Sequence, residues 1–181
     1  VAADGSVSDL GEVPGVRPGG EGGLLGIAVA AAVAQNPYVY AYFTASGDNR
    51  IVRMPFDGAG LGTAEVIFDG IVRNSTHNGG RMVFGPDGKL YVGTGDAQDR
   101  PLSQDTTSPN GKILRLNPDG TVPADNPFPG SAAWSIGHRN VQGLVFDEAG
   151  RLWASEFGQN TWDELNLIQR GANYGWPTVE G

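Results

Sequence analysis

His77 and Asp96 stand at the two ends of a stretch built around two apolar runs, Arg81-Met82-Val83-Phe84 and Lys89-Leu90-Tyr91-Val92, with Gly85-Pro86-Asp87-Gly88 between them. Two strands joined by a tight hairpin bring their outer ends side by side. The glycine-rich turn that holds His77 and the one that holds Asp96 are therefore expected to meet, although 19 positions separate the two residues. A histidine beside a carboxylate is the usual arrangement of a general base, because the carboxylate fixes the tautomer and stabilises the imidazolium. Both residues also read as loop caps, and their types alone do not separate the two readings.

The elements that must position this pair are short strands. The 29 glycines and 12 prolines fall between brief apolar runs, as in an all-β protein with many tight turns. Strands are expected at Val39–Phe43, Asn49–Met54, Glu65–Phe68, Arg81–Phe84, Lys89–Val92, Lys112–Leu116, Gly143–Phe146, Arg151–Ala154 and Asp163–Leu167. Alanine content alone suggests a helical turn or two at Ala28–Gln35. The runs repeat. Phe84–Val92 aligns with Phe146–Ala154 at a shift of 62, and Asn36–Ala41 is a looser copy. A second unit recurs at Arg50–Arg53, Lys112–Arg115 and Glu164–Leu167, twice running on to an Asp-Gly turn. Four strands in roughly 50–60 residues, with Asp-Gly hairpins, are the sign of propeller blades. A chain of 181 residues holds about three such blades, read here as one partial β-propeller domain over 1–181. Propellers close at about four blades or more, so a longer propeller is expected.

Composition narrows the function. Twenty acidic against twelve basic residues give a net charge of −8, which argues against nucleic acid and anionic lipid partners and is compatible with divalent cations and neutral substrates. No apolar run is long enough to span a membrane. Without cysteine there is no disulfide, thiolate metal site or thiol nucleophile. The chain begins at Val1 rather than at methionine, as expected of a processed or excised end.

Six motifs in order carry a resemblance: Gly20–Gly26, His77-Asn78-Gly79-Gly80-Arg81, Gly95-Asp96, Gly111–Arg115, Gly137-His138-Arg139-Asn140-Val141-Gln142-Gly143, and Asp163–Ile168 followed by Gly171–Pro177. Together they are similar to the soluble quinoprotein glucose/aldose sugar dehydrogenases, more to the aldose sugar dehydrogenase branch than to glucose dehydrogenase itself. These are six-bladed propellers of four-stranded antiparallel blades that use pyrroloquinoline quinone (PQQ) and calcium. The resemblance implies oxidation of an aldose at C1 to the lactone, transfer of electrons to an external acceptor other than oxygen, and a periplasmic or secreted location. It implies His77 as the catalytic base, Asp96 as the carboxylate that orients it, Arg139 over the quinone C5 oxygen, Asn140 as a cofactor contact and Glu21 beside the substrate. Gly158 and Gln159 fall where the family offers backbone carbonyls to the calcium that bridges protein and PQQ; Gln159 replaces a proline of the glucose dehydrogenase. Asp163, Glu164 and Tyr174 match a second, structural calcium region.

Other residues read as structural. His138 is expected to bond to backbone, Arg81 and Arg115 to serve as strand-edge or between-blade pairs, and Trp134, Trp153 and Trp176 to pack the blades. Asp57-Gly58, Asp87-Gly88 and Asp119-Gly120 are hairpin turns. Two other functions stay open: a calcium-dependent lactonase, which needs a central cluster of acidic and asparagine side chains, and a propeller that binds without catalysing. The preferred sugar, the acceptor and the oligomeric state are left open too. The family's side-chain clamps on the PQQ carboxylates are expected beyond Gly181, so the 181 residues alone are expected to turn over poorly or not at all.

Overall fold

A computed structural model describes residues 5–30 and 37–180. Among these residues eleven strands form three antiparallel meanders. The first sheet holds β1 (Leu24–Val29), β2 (Tyr38–Thr44), β3 (Asn49–Pro55) and β4 (Glu65–Ile71). The second holds β5 (Met82–Phe84), β6 (Leu90–Gly93), β7 (Lys112–Leu116) and β8 (Ala133–Ile136). The third holds β9 (Val141–Phe146), β10 (Leu152–Glu156) and β11 (Glu164–Ile168). The one helical element among the described residues is a 3-10 turn at Arg100–Ser103. None is long and apolar enough to cross a membrane.

The sheets stack face to face because their strands are apolar on both sides. In β2, Tyr40 and Tyr42 enter the core shared with Leu90, Val92, Leu114 and Leu116 of the second sheet. Ala41 and Phe43 turn the other way, against Val52, Met54, Val13 and Val16. In the second sheet the alternate residues Tyr91 and Ile113 join Val141, Leu152, Ala154 and Ile168 of the third. A period of two on a sheet covered on both faces produces this division. The first strands β1, β5 and β9 lie next to one another. Arg81 ties them across all three sheets, donating from Nε to the Gln142 carbonyl and from Nη1 to the Leu25 carbonyl. It is the between-sheet link expected of it.

The repeat marks the blade plan. Phe84–Val92 and Phe146–Ala154 are the first-to-second hairpins of sheets two and three, and the Arg50, Lys112 and Glu164 units are the third strands β3, β7 and β11. Asp57-Gly58, Asp87-Gly88 and Asp119-Gly120 are turns, each with its glycine at positive φ. Two strands escape the sequence patterns. β1 is interrupted by Gly26, where a Cβ would come within 2.0 Å of the Gly80 carbonyl oxygen. β8 is a short outer strand. The helical turn expected at Ala28–Gln35 is corrected in part: Ala28 and Val29 belong to β1, paired with Tyr40 and Val39. Ala31–Gln35 lie outside the described residues. Strand pairing outweighs the weak helical preference of a few alanines.

Candidate functional site

The β5–β6 hairpin brings its outer ends together as its register requires, with Met82 opposite Val92 and the Gly80 and Gly93 main chains hydrogen-bonded beyond it. His77 Nδ1 lies 2.7 Å from Asp96 Oδ1. The contact needs unusual backbone. His77, Ala97 and Gln98 all have positive φ, at 59°, 53° and 63°. Gly95 passes so close that a Cβ there would sit 1.9 Å from the His77 carbonyl oxygen. Positive φ in residues other than glycine is strained and clusters at functional positions. The Glu21 carboxylate holds the strained turn by accepting the His77 N–H at 2.8 Å.

Asp96 has no exposed side-chain surface. Its Oδ1 also accepts the Gln98 N–H at 2.7 Å, and its Oδ2 accepts the Trp176 indole N–H at 2.8 Å. Burial, the largest single influence, pushes this carboxyl up. The hydrogen bonds from His77, Gln98 and Trp176, with the nearby His77 charge, together outweigh it and hold Asp96 below the ordinary carboxylate value. A carboxylate depressed on folding contributes stability that is present above its unfolded value and lost as pH falls through the folded one. The thermal midpoint of wild type relative to Asp96→Asn should therefore fall as pH drops from 6 to 3. A constant difference across that range, measured by calorimetry, would show that Asp96 is not so stabilised.

Trp176 is more than blade packing, which corrects its sequence assignment. Besides its bond to Asp96, its ring has the Arg100 guanidinium 5.1 Å and the Arg139 guanidinium 5.5 Å from its centroid. Ser103 Oγ donates to the Trp176 carbonyl at 2.8 Å, and Lys112 Nζ donates to the carbonyls of Leu102, Ser103 and Asn110 at 2.6–2.9 Å. This buried ammonium fixes the 3-10 turn that carries Arg100; burial pushes it down to about 8, against the pull of Asp105. His77, Asp96, Gln98, Arg100, Arg139 and Trp176 line a cleft of ≈ 230 Å³. Trp134 packs on Tyr91, and Trp153 donates to Asp147, both away from that cleft.

Arg139 reaches the cleft from the turn before β9. Its Nη1 donates to the Phe157 carbonyl at 3.1 Å. Its Nε is the one buried side-chain polar atom among the described residues without a hydrogen-bond partner. Asn140 is buried, and its Oδ1 accepts the Gly79 N–H at 3.1 Å and the Gln142 side-chain N–H at 3.0 Å. His138 bonds to side chains rather than to backbone: Nδ1 to Glu156 and Nε2 to Ser135, each at 2.8 Å. Arg115 is held within its own sheet by Asp87 and Asp125 and lies over Trp134.

Gly158 donates its N–H to Asp163 Oδ1 at 3.1 Å, and the N–H groups of Gln159 and Asn160 both go to the Glu180 carboxylate. Asp163, Glu164 and Tyr174 do not converge. The Glu164 carboxylate accepts from Asn166, and Tyr174 sits at the far end of β11, donating to the Leu167 carbonyl at 2.6 Å and accepting the Gln169 N–H. Among the described residues no group of three or more His, Cys, Asp or Glu side chains is arranged to hold a metal ion. These three side chains are therefore not gathered as the ligands of a second calcium.

Residues 1–181, the whole chain, match the profile of the glucose/sorbosone dehydrogenase family. The chain is 37% identical to quinoprotein glucose dehydrogenase B of Acinetobacter calcoaceticus, over 98% of its own length and 45% of that protein. It is 35% identical to an aldose sugar dehydrogenase of Escherichia coli, over 97% of its length and 52% of the other. Among solved structures it superposes on the PQQ-bound aldose sugar dehydrogenase of Streptomyces coelicolor with a TM-score of 0.91 and 59% identity, covering 95% of this chain and 53% of that one. The chain thus spans about half the length of the relatives it matches.

Proposed function

Because this chain belongs to the glucose/sorbosone dehydrogenase family, we propose that it forms about three blades of a six-bladed propeller and supplies the proton-handling face of a PQQ-dependent aldose dehydrogenase. The observation that carries this reading is the pairing in one cleft of a histidine–carboxylate couple with an arginine whose buried Nε lacks an acceptor. A buried unpaired donor costs roughly 1–3 kcal/mol. A flat ligand rich in carbonyl and carboxylate oxygens, as PQQ is, would offset that cost at Arg139, with Arg100 as a second cation and Trp176 as an aromatic wall.

PQQ, when bound, would supply the two-electron acceptor for oxidation of an aldose at C1 to the lactone. His77 does the proton chemistry. With Nδ1 occupied by Asp96, Nε2 receives the proton of the anomeric hydroxyl, and the buried carboxylate stabilises the resulting imidazolium. Arg139 offers N–H donors to the oxygen on which negative charge grows, a preorganised stabilisation that needs no rearrangement during reaction. Asn140 holds the turn after His77 against the Arg139 segment and would act on the cofactor by positioning both, while Glu21 fixes the His77 main chain. The main-chain oxygens of Gly158 and Gln159 suit a hard cation such as calcium.

The test is a titration with PQQ, with and without calcium, of a full-length protein that carries this segment and of the 181 residues alone. Tight, calcium-dependent binding by the full-length protein and weak or no binding by the shorter chain is expected. Failure of the full-length protein to bind PQQ would sink the quinoprotein reading.

A further inference from the structure

A second histidine–carboxylate pair lies behind the cleft, and the proposed proton transfer does not use it. His138 is fully buried, bonded through Nδ1 to Glu156 Oε2 and through Nε2 to Ser135 Oγ, and its ring stacks on Tyr174 with centroids 4.7 Å apart. The Glu156 side chain is 2% exposed. Its other oxygen, Oε1, accepts the main-chain N–H of Arg139 and, at 3.3 Å, that of Asn140. These two residues reach across to the first pair. The Arg139 carbonyl accepts the Asp96 N–H at 2.8 Å, and Asn140 Oδ1 accepts the N–H of Gly79, two residues after His77.

We propose that Glu156 is a positioning residue whose buried carboxylate, oriented by His138, fixes the main chain of Arg139 and Asn140 and with it the spacing between Arg139 and the His77–Asp96 pair. The strand alternation supports this. Leu152, Ala154 and Glu156 are the buried positions of β10, so its period of two turns the acid inward. The extra residue where the β9–β10 register shifts is Gln142, on the facing strand. Glu156 thus ends its strand beneath the turn whose Arg139 and Asn140 N–H groups it accepts. One carboxylate serves both donors and the imidazole, and the next residue's carbonyl, that of Phe157, accepts the Arg139 guanidinium. Four side-chain hydrogen bonds thus tie the 138–140 turn to residues 156–157. The rate readout of this proposal rests on the dehydrogenase reading; the geometry does not.

The experiment compares Glu156→Ala, Glu156→Gln and Glu156→Asp in the full-length protein, with two readouts: amide hydrogen exchange at residues 139 and 140 without ligand, and the split between kcat and KM for aldose oxidation. Gln keeps an oxygen for the two amides and can donate to the other tautomer of His138, so near-wild-type exchange and rate are expected. Ala frees both amides, so their exchange should accelerate and kcat should fall ~100-fold, as for a misplacement of about 1 Å, with KM within ~3-fold of wild type. Asp, one methylene shorter, should show the same losses to a smaller degree, and it decides the matter if the Ala variant does not fold. Unchanged exchange and kcat in Ala or Asp, or a Gln variant as impaired as Ala, would overturn the proposal. If wild type oxidises no aldose, the dehydrogenase reading fails while the exchange comparison still judges Glu156.

Discussion

His77→Asn is expected to lower kcat for aldose oxidation by ~10²–10⁴-fold, the usual contribution of a positioned general base. Asparagine is the informative replacement because, like histidine, it tolerates the left-handed backbone that position 77 requires. The main chain there is held by Glu21 and by the Ala97 N–H on the His77 carbonyl, neither of which involves the imidazole. The fold should survive, KM should change little, and the loss should appear in kcat, because the interaction removed is made in the transition state. Steady-state kinetics on the full-length variant, beside its melting curve, would check this. A rate within tenfold of wild type would remove His77 from the chemistry.

The second large effect is expected at Arg139. Replacement by methionine keeps much of the apolar stem but removes every donor and the guanidinium over Trp176, and kcat should fall by ~10²–10³-fold as for loss of an oxyanion-type donor. Arg139→Lys should rescue little of this. Lysine restores the charge but has no counterpart of the buried Nε and no planar fork. Affinity for PQQ should weaken in both variants, measured by the same titration as for wild type. A lysine variant with wild-type affinity and rate would mean that charge alone matters and that the unpaired Nε has no ligand.

Much of this arrangement was legible in the order of residues because local rules governed it. Asp-Gly turns between alternating runs fix hairpins, and a hairpin obliges His77 and Asp96 to meet. The third strands showed as a repeat because each opens on a polar residue followed by an apolar one, and the first two close on an arginine. What stayed hidden depends on long-range approach. The Trp176 indole finds Asp96 across 80 positions, and nothing near Gly175-Trp176-Pro177 distinguishes a donor to a buried carboxylate from a packing ring. Glu156 lies two residues past the expected strand, and only the extension of β10 to that position shows that its alternation turns the acid inward beside Leu152 and Ala154. β1 was missed because Gly26 breaks its apolar run, at the point where the Gly80 main chain crosses too close for a side chain. Tyr174 shows the opposite case. Its match to a calcium region carried over in sequence, whereas its hydroxyl here is engaged by Leu167 and Gln169 and its ring by His138.

The measurement that tests the central claim most directly is addition of an aldose to the PQQ-loaded full-length protein, with the quinone absorption followed in a single turnover and the product identified. The account predicts rapid loss of the oxidised quinone spectrum with one lactone formed per PQQ in wild type, and a bleaching rate at least ~100-fold slower in His77→Asn. Bound PQQ that no aldose reduces, or reduction equally fast without the imidazole, would contradict it.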